Sequence, residues 1–170
     1  APIYNRQLPV AEARERIRQH YFPYHRALRQ LVHDTRQRFG HAILLDCHSM
    51  PSQAVACLSA TIGRVSNELA RPIDIVLGDC HGTSCTGDIT DCAEAVLTDL
   101  GYTVARNSPY AGGFTTRHYG HPERGVHGLQ IEVNRALYMD EATLELHAGA
   151  DRLVVELGQA IAHIGRTRKK

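Results

Sequence analysis

The sequence predicts an α/β fold in which buried strands alternate with amphipathic helices around a mostly parallel central sheet. Two short apolar runs, "AILL" (42–45) and "IDIVLGD" (73–79), are typical of strands covered on both faces. Apolar residues at helical spacing precede and follow these runs. The chain has 170 residues, enough for one hydrophobic core, so we expect a single domain over residues 1–170.

A helix, or a pair of helices, is predicted before the first strand. Pro9 suits a first helical turn, and Gly40 is placed to end the last one. Pro23 must either kink one long helix or begin a second one. The apolar stripe of this region consists of Val10, Ala13, Ile17, Tyr21, Tyr24, Leu28, Leu31, Val32 and Phe39.

The second half of the chain continues the alternation of strands and helices. Asp88 is expected to cap a helix that Gly101 ends. Further strands are expected at "YTVARN" (102–107) and "GVHGLQIEVNR" (125–135). A final helix is predicted from one apolar face made of Ala150, Leu153, Val154, Leu157, Ile161 and Ile164.

The composition excludes several classes of protein. Lys and Arg number 19 against 18 Asp and Glu, so no overall field favours nucleic acid or an anionic membrane as a partner. No apolar stretch approaches the roughly 18–20 residues of a membrane span, and no signal-peptide pattern opens the chain. Five cysteines, an odd number, do not suggest a disulfide framework, so a reduced, cytoplasmic protein is expected.

Polar residues cluster where the predicted strands end. These segments are "DCHSM", "GDCHGTSC", "NSPYAGGFTTRHYG" and "QIEVNR". In open α/β sheets, ligands bind outside the carboxyl ends of the strands. We therefore expect four strands to deliver their polar endings to one rim of the sheet.

Strand alternation places Asp46 and His48 on one side of the first strand and Cys47 on the other. A carboxylate beside an imidazole fixes its tautomer and strengthens it as a metal ligand or a base. The alternative is a buried histidine satisfied by hydrogen bonds at the end of a strand.

The same alternation places Gln130, Glu132 and Asn134 on one face of the last strand and Ile131 and Val133 on the other. A glutamate in an apolar strand is costly to bury without a partner or a purpose. General acid/base catalysis by a carboxyl group of raised pKa is one purpose, and a structural salt bridge is the alternative.

Two loops carry further candidate residues. The segment from Asn107 to Gly113 contains a Gly-Gly pair, which lets backbone approach a small ligand, although a surface turn would look similar. Arg117 is a candidate for a bidentate carboxylate contact, against the alternative of a solvated charge. A third group of candidate residues consists of Cys80, His81, Cys85 and Cys92. A zinc site is the less favoured interpretation of this group, because the spacing of these residues is not that of a standard zinc site.

Together these segments resemble the N-formylglutamate amidohydrolase family, also called N-formylglutamate deformylases. The matching stretches are "LLDCHSMP" (44–51), "DIVLGDCHGTSC" (74–85), "NSPYAGGFTTRHYG" (107–120) and "GLQIEVNRALYMDE" (128–141). They follow the order of the family motifs and cover nearly the whole chain. The resemblance implies a three-layer α/β/α sandwich like that of the zinc carboxypeptidases and aspartoacylases.

The resemblance also implies an activity, which is the metal-dependent hydrolysis of N-formyl-L-glutamate to formate and L-glutamate in histidine degradation. A divalent metal is implied, with zinc expected, and the partner is a small-molecule substrate. His48 matches a metal ligand, Asp46 would support that imidazole, and Glu132 matches the glutamate that activates the attacking water. The expected substrate-binding residues are Asn107, Tyr110, Gly112, Gly113 and Arg117.

The sequence departs from the family pattern at its start. The early His-Ser-Gly motif and an upstream Asn-Arg pair are absent, so we expect this chain to be the C-terminal part of the family domain. Three other functions remain open. They are a cysteine hydrolase using Cys47 or Cys80, a hydrolase of another N-acyl amino acid, and a non-catalytic carboxylate-binding domain of the same fold.

Overall fold

The computed structural model describes residues 4–56 and 72–167. The chain divides into two units, Ala1–Ala42 and Ile43–Lys170, which are taken in turn below. The expectation of one domain over residues 1–170 stays a prediction. Within the described ranges, no helix is both long and apolar enough to cross a membrane.

The first unit is helical from Val10 to Phe39. It consists of α1 (Val10–Arg16), a π-helical segment (Ile17–Tyr21) and α2 (Phe22–Phe39), with helical backbone angles at both junctions. Pro23 is the second residue of α2, directly after the π-helical segment. Because proline lacks an N–H, a locally widened turn before it lets the helix continue. Gly40, at φ 80°, ends α2 in the left-handed region as predicted.

In residues 4–56 and 72–167 the sheet has four strands, and each predicted strand is present. They are β1 (Ala42–Met50), β2 (Ile75–Gly78), β3 (Val104–Arg106) and β4 (Val126–Asn134), in the order β1-β4-β2-β3. The first strand is longer than its apolar run, because it continues through "DCHSM". The polar residues of β1 therefore lie within the strand and not beyond its end.

The sheet is mixed and not uniformly parallel. β2 pairs with β3 in parallel, but β2 pairs with β4 in antiparallel, so that Val76 lies opposite Glu132 and Gly78 opposite Gln130. The carboxyl ends of β2 and β4 therefore lie at opposite edges, and the expectation of one shared rim is wrong for β4. A continuous apolar run indicates that a strand is buried on both faces, but it does not indicate whether the strand runs parallel or antiparallel to its neighbour.

Two helices cover one face of the sheet. They are α3 (Gly87–Asp99) and α5 (Gly149–Ile164). The short helix α4 (Phe114–Tyr119) lies between β3 and β4. The core includes Ile75, Leu77, Ile89, Leu97, Leu129, Ile131, Leu153 and Ile164. A smaller apolar cluster contains Met50, Val55, Ile73 and Val76.

Two details of the predicted helices are wrong. Thr86 occupies the N-cap position of α3, and Asp88 lies in its first turn. On α5, Val154 and Ile161 were expected on the apolar face but are 72% and 41% exposed. The buried face of α5 uses Ala160 in their place. Helical spacing alone does not define which edge of a wide apolar stripe is covered.

The loop that follows β2 is held by Asp79 and Asn107. Asn107 Oδ1 accepts hydrogen bonds from the backbone N–H groups of Asp79 (3.1 Å) and His81 (3.2 Å), while its Nδ2 donates to Asp79 Oδ1 (2.8 Å). Asp79 also accepts from the Gly82 N–H at 2.8 Å and the Thr90 hydroxyl at 3.1 Å. These bonds fix a backbone that is left-handed at three successive residues, Cys80 to Gly82.

Glycines let this loop pack tightly against its neighbours. The Gly128 N–H donates to Ser84 O at 2.7 Å, and the Ser84 hydroxyl donates to Gly128 O at 2.9 Å. A Cβ built on Gly120 would lie 2.5 Å from Ser84 O and 2.7 Å from Thr116 O. Position 120 therefore has no room for a side chain.

Replacing Gly120 with alanine should destabilise the protein, because the added methyl group meets backbone that cannot move freely. We expect the free energy of unfolding to fall by about 1–3 kcal/mol, the usual cost of overpacking. Urea unfolding followed by circular dichroism measures it. The control Gly158→Ala, in α5 with open space around the added methyl, should stabilise by about 0.5–1 kcal/mol. Equal effects at the two sites would contradict the packing described above.

Asp79→Asn should remove stability that depends on pH. Burial alone would raise the pKa of Asp79, but hydrogen bonds from Asn107, Gly82 and Thr90 outweigh it and hold the pKa below its usual 3.8. The ionised form therefore contributes stability above pH 3.8, and this contribution is lost as the pH falls through the lowered pKa.

The difference in unfolding free energy between wild type and Asp79→Asn, measured by urea unfolding, should be about 2 kcal/mol at pH 7 and shrink below pH 3.8. The exposed Asp99→Asn control should change stability by less than about 0.5 kcal/mol at any pH. A difference for Asp79→Asn that is constant from pH 7 to pH 3 would show that its ionisation is not linked to folding.

Candidate active site

Asp46 and His48 meet on one side of β1. His48 Nε2 lies 3.0 Å from Asp46 Oδ1, and the other Asp46 oxygen accepts from the Thr116 hydroxyl at 3.3 Å. The predicted alternation is therefore confirmed. The His48 side chain is 50% exposed, so the alternative of a buried histidine is wrong. With Nε2 turned towards Asp46, ring nitrogen Nδ1 is left without a hydrogen-bond partner within the described ranges.

Glu132 lies in the middle of β4 and is only 7% exposed. Burial raises the pKa of its carboxyl group, and the charge of Asp46 adds to this rise, while His48 and Arg135 oppose it. All three groups are therefore near enough to act on Glu132 through their charges. In the part of the chain that is described, Glu132 forms no salt bridge, which removes the structural alternative considered for it. A buried carboxyl group of raised pKa within electrostatic reach of a half-exposed imidazole is typical of acid/base sites.

Gln130 joins Glu132 to the Gly-Gly loop. The Gly113 N–H donates to Gln130 Oε1 at 2.7 Å, and Gln130 Nε2 donates to Glu132 Oε1 at 2.9 Å. Sequence alternation placed Gln130 on the same face as Glu132 but gave it no role. The alternation was the available signal, because a buried amide two residues from a buried carboxyl group is within hydrogen-bonding reach of it.

The predicted substrate-binding residues between positions 107 and 113 have different surroundings. Gly112 and Gly113 lie near the buried polar face of β4, with Gly112 at φ 127° and Gly113 against Gln130. Tyr110 is half-buried against the smaller apolar cluster. The hydrogen bonds of Asn107 go to Asp79 and His81, so its observed role is to hold the loop. A contact between Asn107 and substrate stays an untested prediction.

Arg117 lies in the last turn of α4 and is exposed. Its guanidinium has no hydrogen bond or ion pair to any residue of the described ranges. A second cation is Arg135, which the sequence offered with Arg106 as an alternative to Arg117. Its Nε donates to Ser49 Oγ on β1 at 3.3 Å, and its charge acts on Glu132. Arg106, by contrast, is held by Asp91 and Glu94. Two cations are therefore available for an anionic ligand.

The four cysteines of the described ranges do not form a metal site. The described residues contain no group of three or more His, Cys, Asp and Glu side chains arranged to hold a metal, which leaves the zinc interpretation of residues 80–92 without support. Cys85 is buried, and burial raises its pKa to about 11. Desolvation and the Asp46 charge raise the pKa of the Cys47 thiol. A nucleophilic cysteine needs a lowered pKa, so Cys47 is poorly suited to that role.

Known proteins resemble this chain over most of its length. A family profile described as N-formylglutamate amidohydrolase matches residues 1–139. An N-formylglutamate deformylase of Pseudomonas aeruginosa PAO1 is 34% identical over 175 residues, covering 98% of this chain and 62% of that protein. One from Pseudomonas putida is 33% identical over 143 residues, covering 82% of this chain and 50% of that protein. The chain therefore spans less than two thirds of each relative.

Solved structures agree with this result. The N-formylglutamate amidohydrolase of Ralstonia eutropha JMP134 superposes with a TM-score of 0.78 at 39% identity, covering 98% of this chain and 59% of that one. A gene product of Agrobacterium tumefaciens superposes with a TM-score of 0.58 at 23% identity, covering 98% and 62%, which shows the fold alone. On the matched profile and the identity of these relatives, the chain belongs to the N-formylglutamate amidohydrolase family.

Proposed function

We propose that the protein carrying this chain hydrolyses N-formyl-L-glutamate to formate and L-glutamate. The observation that carries the proposal is Glu132, a buried carboxyl group of raised pKa on which the charges of His48 and Asp46 act. The relatives named above are deformylases or amidohydrolases of this substrate. A place in histidine degradation, a cytoplasmic location and a carboxypeptidase-like three-layer fold are part of the same proposal.

The proposal includes a divalent metal, with zinc expected, for which this chain supplies one donor, His48. Asp46 holds Nε2 of His48 and leaves Nδ1 directed away from it, the arrangement in which a carboxylate orients a ligand imidazole. His48 is one ligand, and the described ranges offer no cluster that completes the set. When bound, the metal would polarise the formyl carbonyl and lower the pKa of the attacking water.

Glu132 is placed to move the proton. Its Oε1 is held by Gln130, whereas Oε2 has no hydrogen-bond partner in residues 4–56 and 72–167. No buried side-chain oxygen in those ranges lacks a partner, so Oε2 is open to water. As a base, Glu132 would take a proton from the water that adds to the formyl carbon. It would then give that proton to the amide nitrogen as the C–N bond breaks, which releases formate and the free amine.

The two carboxylates of the substrate require cations and N–H donors. Arg117 is the proposed partner of the side-chain carboxylate, because its guanidinium is uncommitted and it lies four residues beyond Gly113. Arg135 is a cation whose charge acts on Glu132. Tyr110, Gly112 and Gly113 belong to the segment that brings the Gly113 N–H to Gln130, and Asn107 fixes the start of that segment against Asp79.

Two other functions remain candidates at lower support. A hydrolase of another N-acyl amino acid would use the same residues and differ only in the pocket. A non-catalytic carboxylate-binding domain would keep the arginines but would have no need of a buried carboxyl group of raised pKa at position 132. Hydrolysis through Cys47 is disfavoured because the pKa of its thiol is raised.

In the full-length protein that carries this chain, Glu132→Gln and His48→Ala should fail in different ways. Glu132→Gln should keep its bound metal but lose kcat by about 10²-fold or more, the scale for a general acid/base. His48→Ala should lose metal and activity together. Metal content by mass spectrometry and formate release measure the two effects. A Glu132→Gln protein that loses its metal, or turns over normally, would contradict the role given to Glu132.

The stability of Glu132→Gln provides an independent check. Because folding raises the pKa of Glu132 above its usual 4.5, native stability falls as the pH rises through the raised pKa. Glutamine has no such charge, so the variant should be at least as stable as wild type at pH 7 and lose that advantage below pH 4.5. Urea unfolding at both pH values measures this difference.

Arg117→Lys should raise KM for N-formylglutamate about tenfold, because lysine keeps the charge but loses the bidentate geometry. N-formylglutamine, which lacks the side-chain carboxylate, should be affected much less. Steady-state kinetics on both substrates give the comparison, with the exposed Arg124→Lys as control. Equal losses on both substrates would show that Arg117 does not contact that carboxylate. A selective loss in Arg135→Lys instead would assign the contact to Arg135.

A further inference from the structure

Gln130 occupies the junction between the carboxyl group of Glu132 and the Gly-Gly loop. It is 3% exposed, and its amide makes one hydrogen bond in each direction. We propose that Gln130 is the positioning residue of this site: fixed by the Gly113 N–H, its amide holds one oxygen of Glu132 and leaves the other free for the reacting water. This inference rests on the proposed function only in naming that water.

The orientation of the Gln130 amide is determined by its surroundings. A backbone N–H can only donate, so the end of the amide that faces Gly113 must be the oxygen. The NH₂ group then faces Glu132, and it too can only donate. A donor that faces a carboxyl group favours its ionised form, which is the effect proposed for Gln130. Rotating the amide by 180° would break both hydrogen bonds at once.

The loop is placed for this contact by the absence of side chains. A Cβ on Gly113 would lie 3.2 Å from Gln130 Oε1, and one on Gly112 would lie 2.7 Å from Cys80 Sγ. The N–H of Gly113 can therefore approach the amide to 2.7 Å. Through Gln130, the position of the proposed substrate-binding loop and that of Glu132 are linked by two consecutive hydrogen bonds.

Gln130 also decides which oxygen of Glu132 is available. Oε1 accepts from Gln130 at 2.9 Å, and Oε2 is the oxygen open to water. A carboxylate held at one oxygen loses most of its freedom to rotate about its terminal bond. Such restriction is the kind of positioning that keeps a base within reach of the proton it removes.

The test compares Gln130→Leu and Gln130→Glu with the control Asn134→Leu. Asn134 is a buried amide two residues beyond Glu132, but its side chain bonds only to backbone, at Ile73 O and Ala136 N. Glutamate at position 130 can still accept from Gly113, yet it replaces the donor facing Glu132 by a second carboxyl group. Both variants therefore remove the donor that faces Glu132. Gln130→Glu keeps the hydrogen bond from Gly113, and Gln130→Leu loses it.

The readout is the apparent pKa of Glu132, from the side-chain carboxyl signal of protein labelled with ¹³C-glutamate and assigned by its loss in Glu132→Gln. Gln130→Leu should move it upward by about one pH unit, the equivalent of one hydrogen bond to a charged group. Gln130→Glu should move it further, because two carboxyl groups then share the site. Asn134→Leu should leave it in place, and the acid limb of kcat should follow the same order.

An unchanged Glu132 pKa in both Gln130 variants would overturn the proposal. If Gln130→Leu does not fold, Gln130→Glu decides the question alone. The carboxyl signal does not depend on turnover, so failure of the Gln130 proposal can be distinguished from failure of the proposed function. A shifted pKa in a protein without deformylase activity would overturn the proposed function and support the role of Gln130. Deformylase activity with an unshifted pKa would do the reverse.

Discussion

The antiparallel pairing of β4 with β2 is the constraint on which the site depends. It places Gln130 opposite Gly78, at the carboxyl end of β2, and Glu132 opposite Val76. A Cβ on Gly78 would lie 2.7 Å from the carbonyl carbon of Ala111, in the loop that follows β3. Only glycine at position 78 therefore lets that loop cross the end of β2. That crossing brings Gly113 to Gln130. A slip of one residue would turn Glu132 into the hydrophobic core.

The two faces of β4 have opposite energetic roles. Leu129, Ile131 and Val133 pack into the core, where burial of apolar surface stabilises the fold. Gln130, Glu132 and Asn134 are equally buried on the other face, where desolvation costs free energy unless hydrogen bonds offset it. Each of them has such a bond. The apolar face of β4 packs into the core and fixes the strand. The strand can therefore carry a destabilising carboxyl group on its other face.

The sequence predicts what depends on local pattern. Apolar runs locate all four strands, and alternation alone brings Asp46 to His48 and sets Glu132 apart as a buried carboxyl group. It does not predict the direction of β4, because a strand that is buried on both faces reads the same either way. It does not predict the role of Gln130 either. That role needs the N–H of Gly113, which is 17 positions away and arrives only through the tertiary fold.

One device recurs around the site, in which a side-chain oxygen captures a backbone N–H of a loop. Asn107 holds His81, Asp79 holds Gly82, Gln130 holds Gly113, and Glu141 holds the N–H of Ser52 just after β1. Each of these loops begins or ends beside a strand of the sheet, so its backbone is fixed before any ligand binds. A site built in this way positions its groups by preorganisation, which removes the cost of ordering them when the substrate arrives. The free oxygen of Glu132 and the free nitrogen of His48 are the exceptions, since neither has a partner within the described ranges. They are the two atoms that the proposed reaction requires to be free.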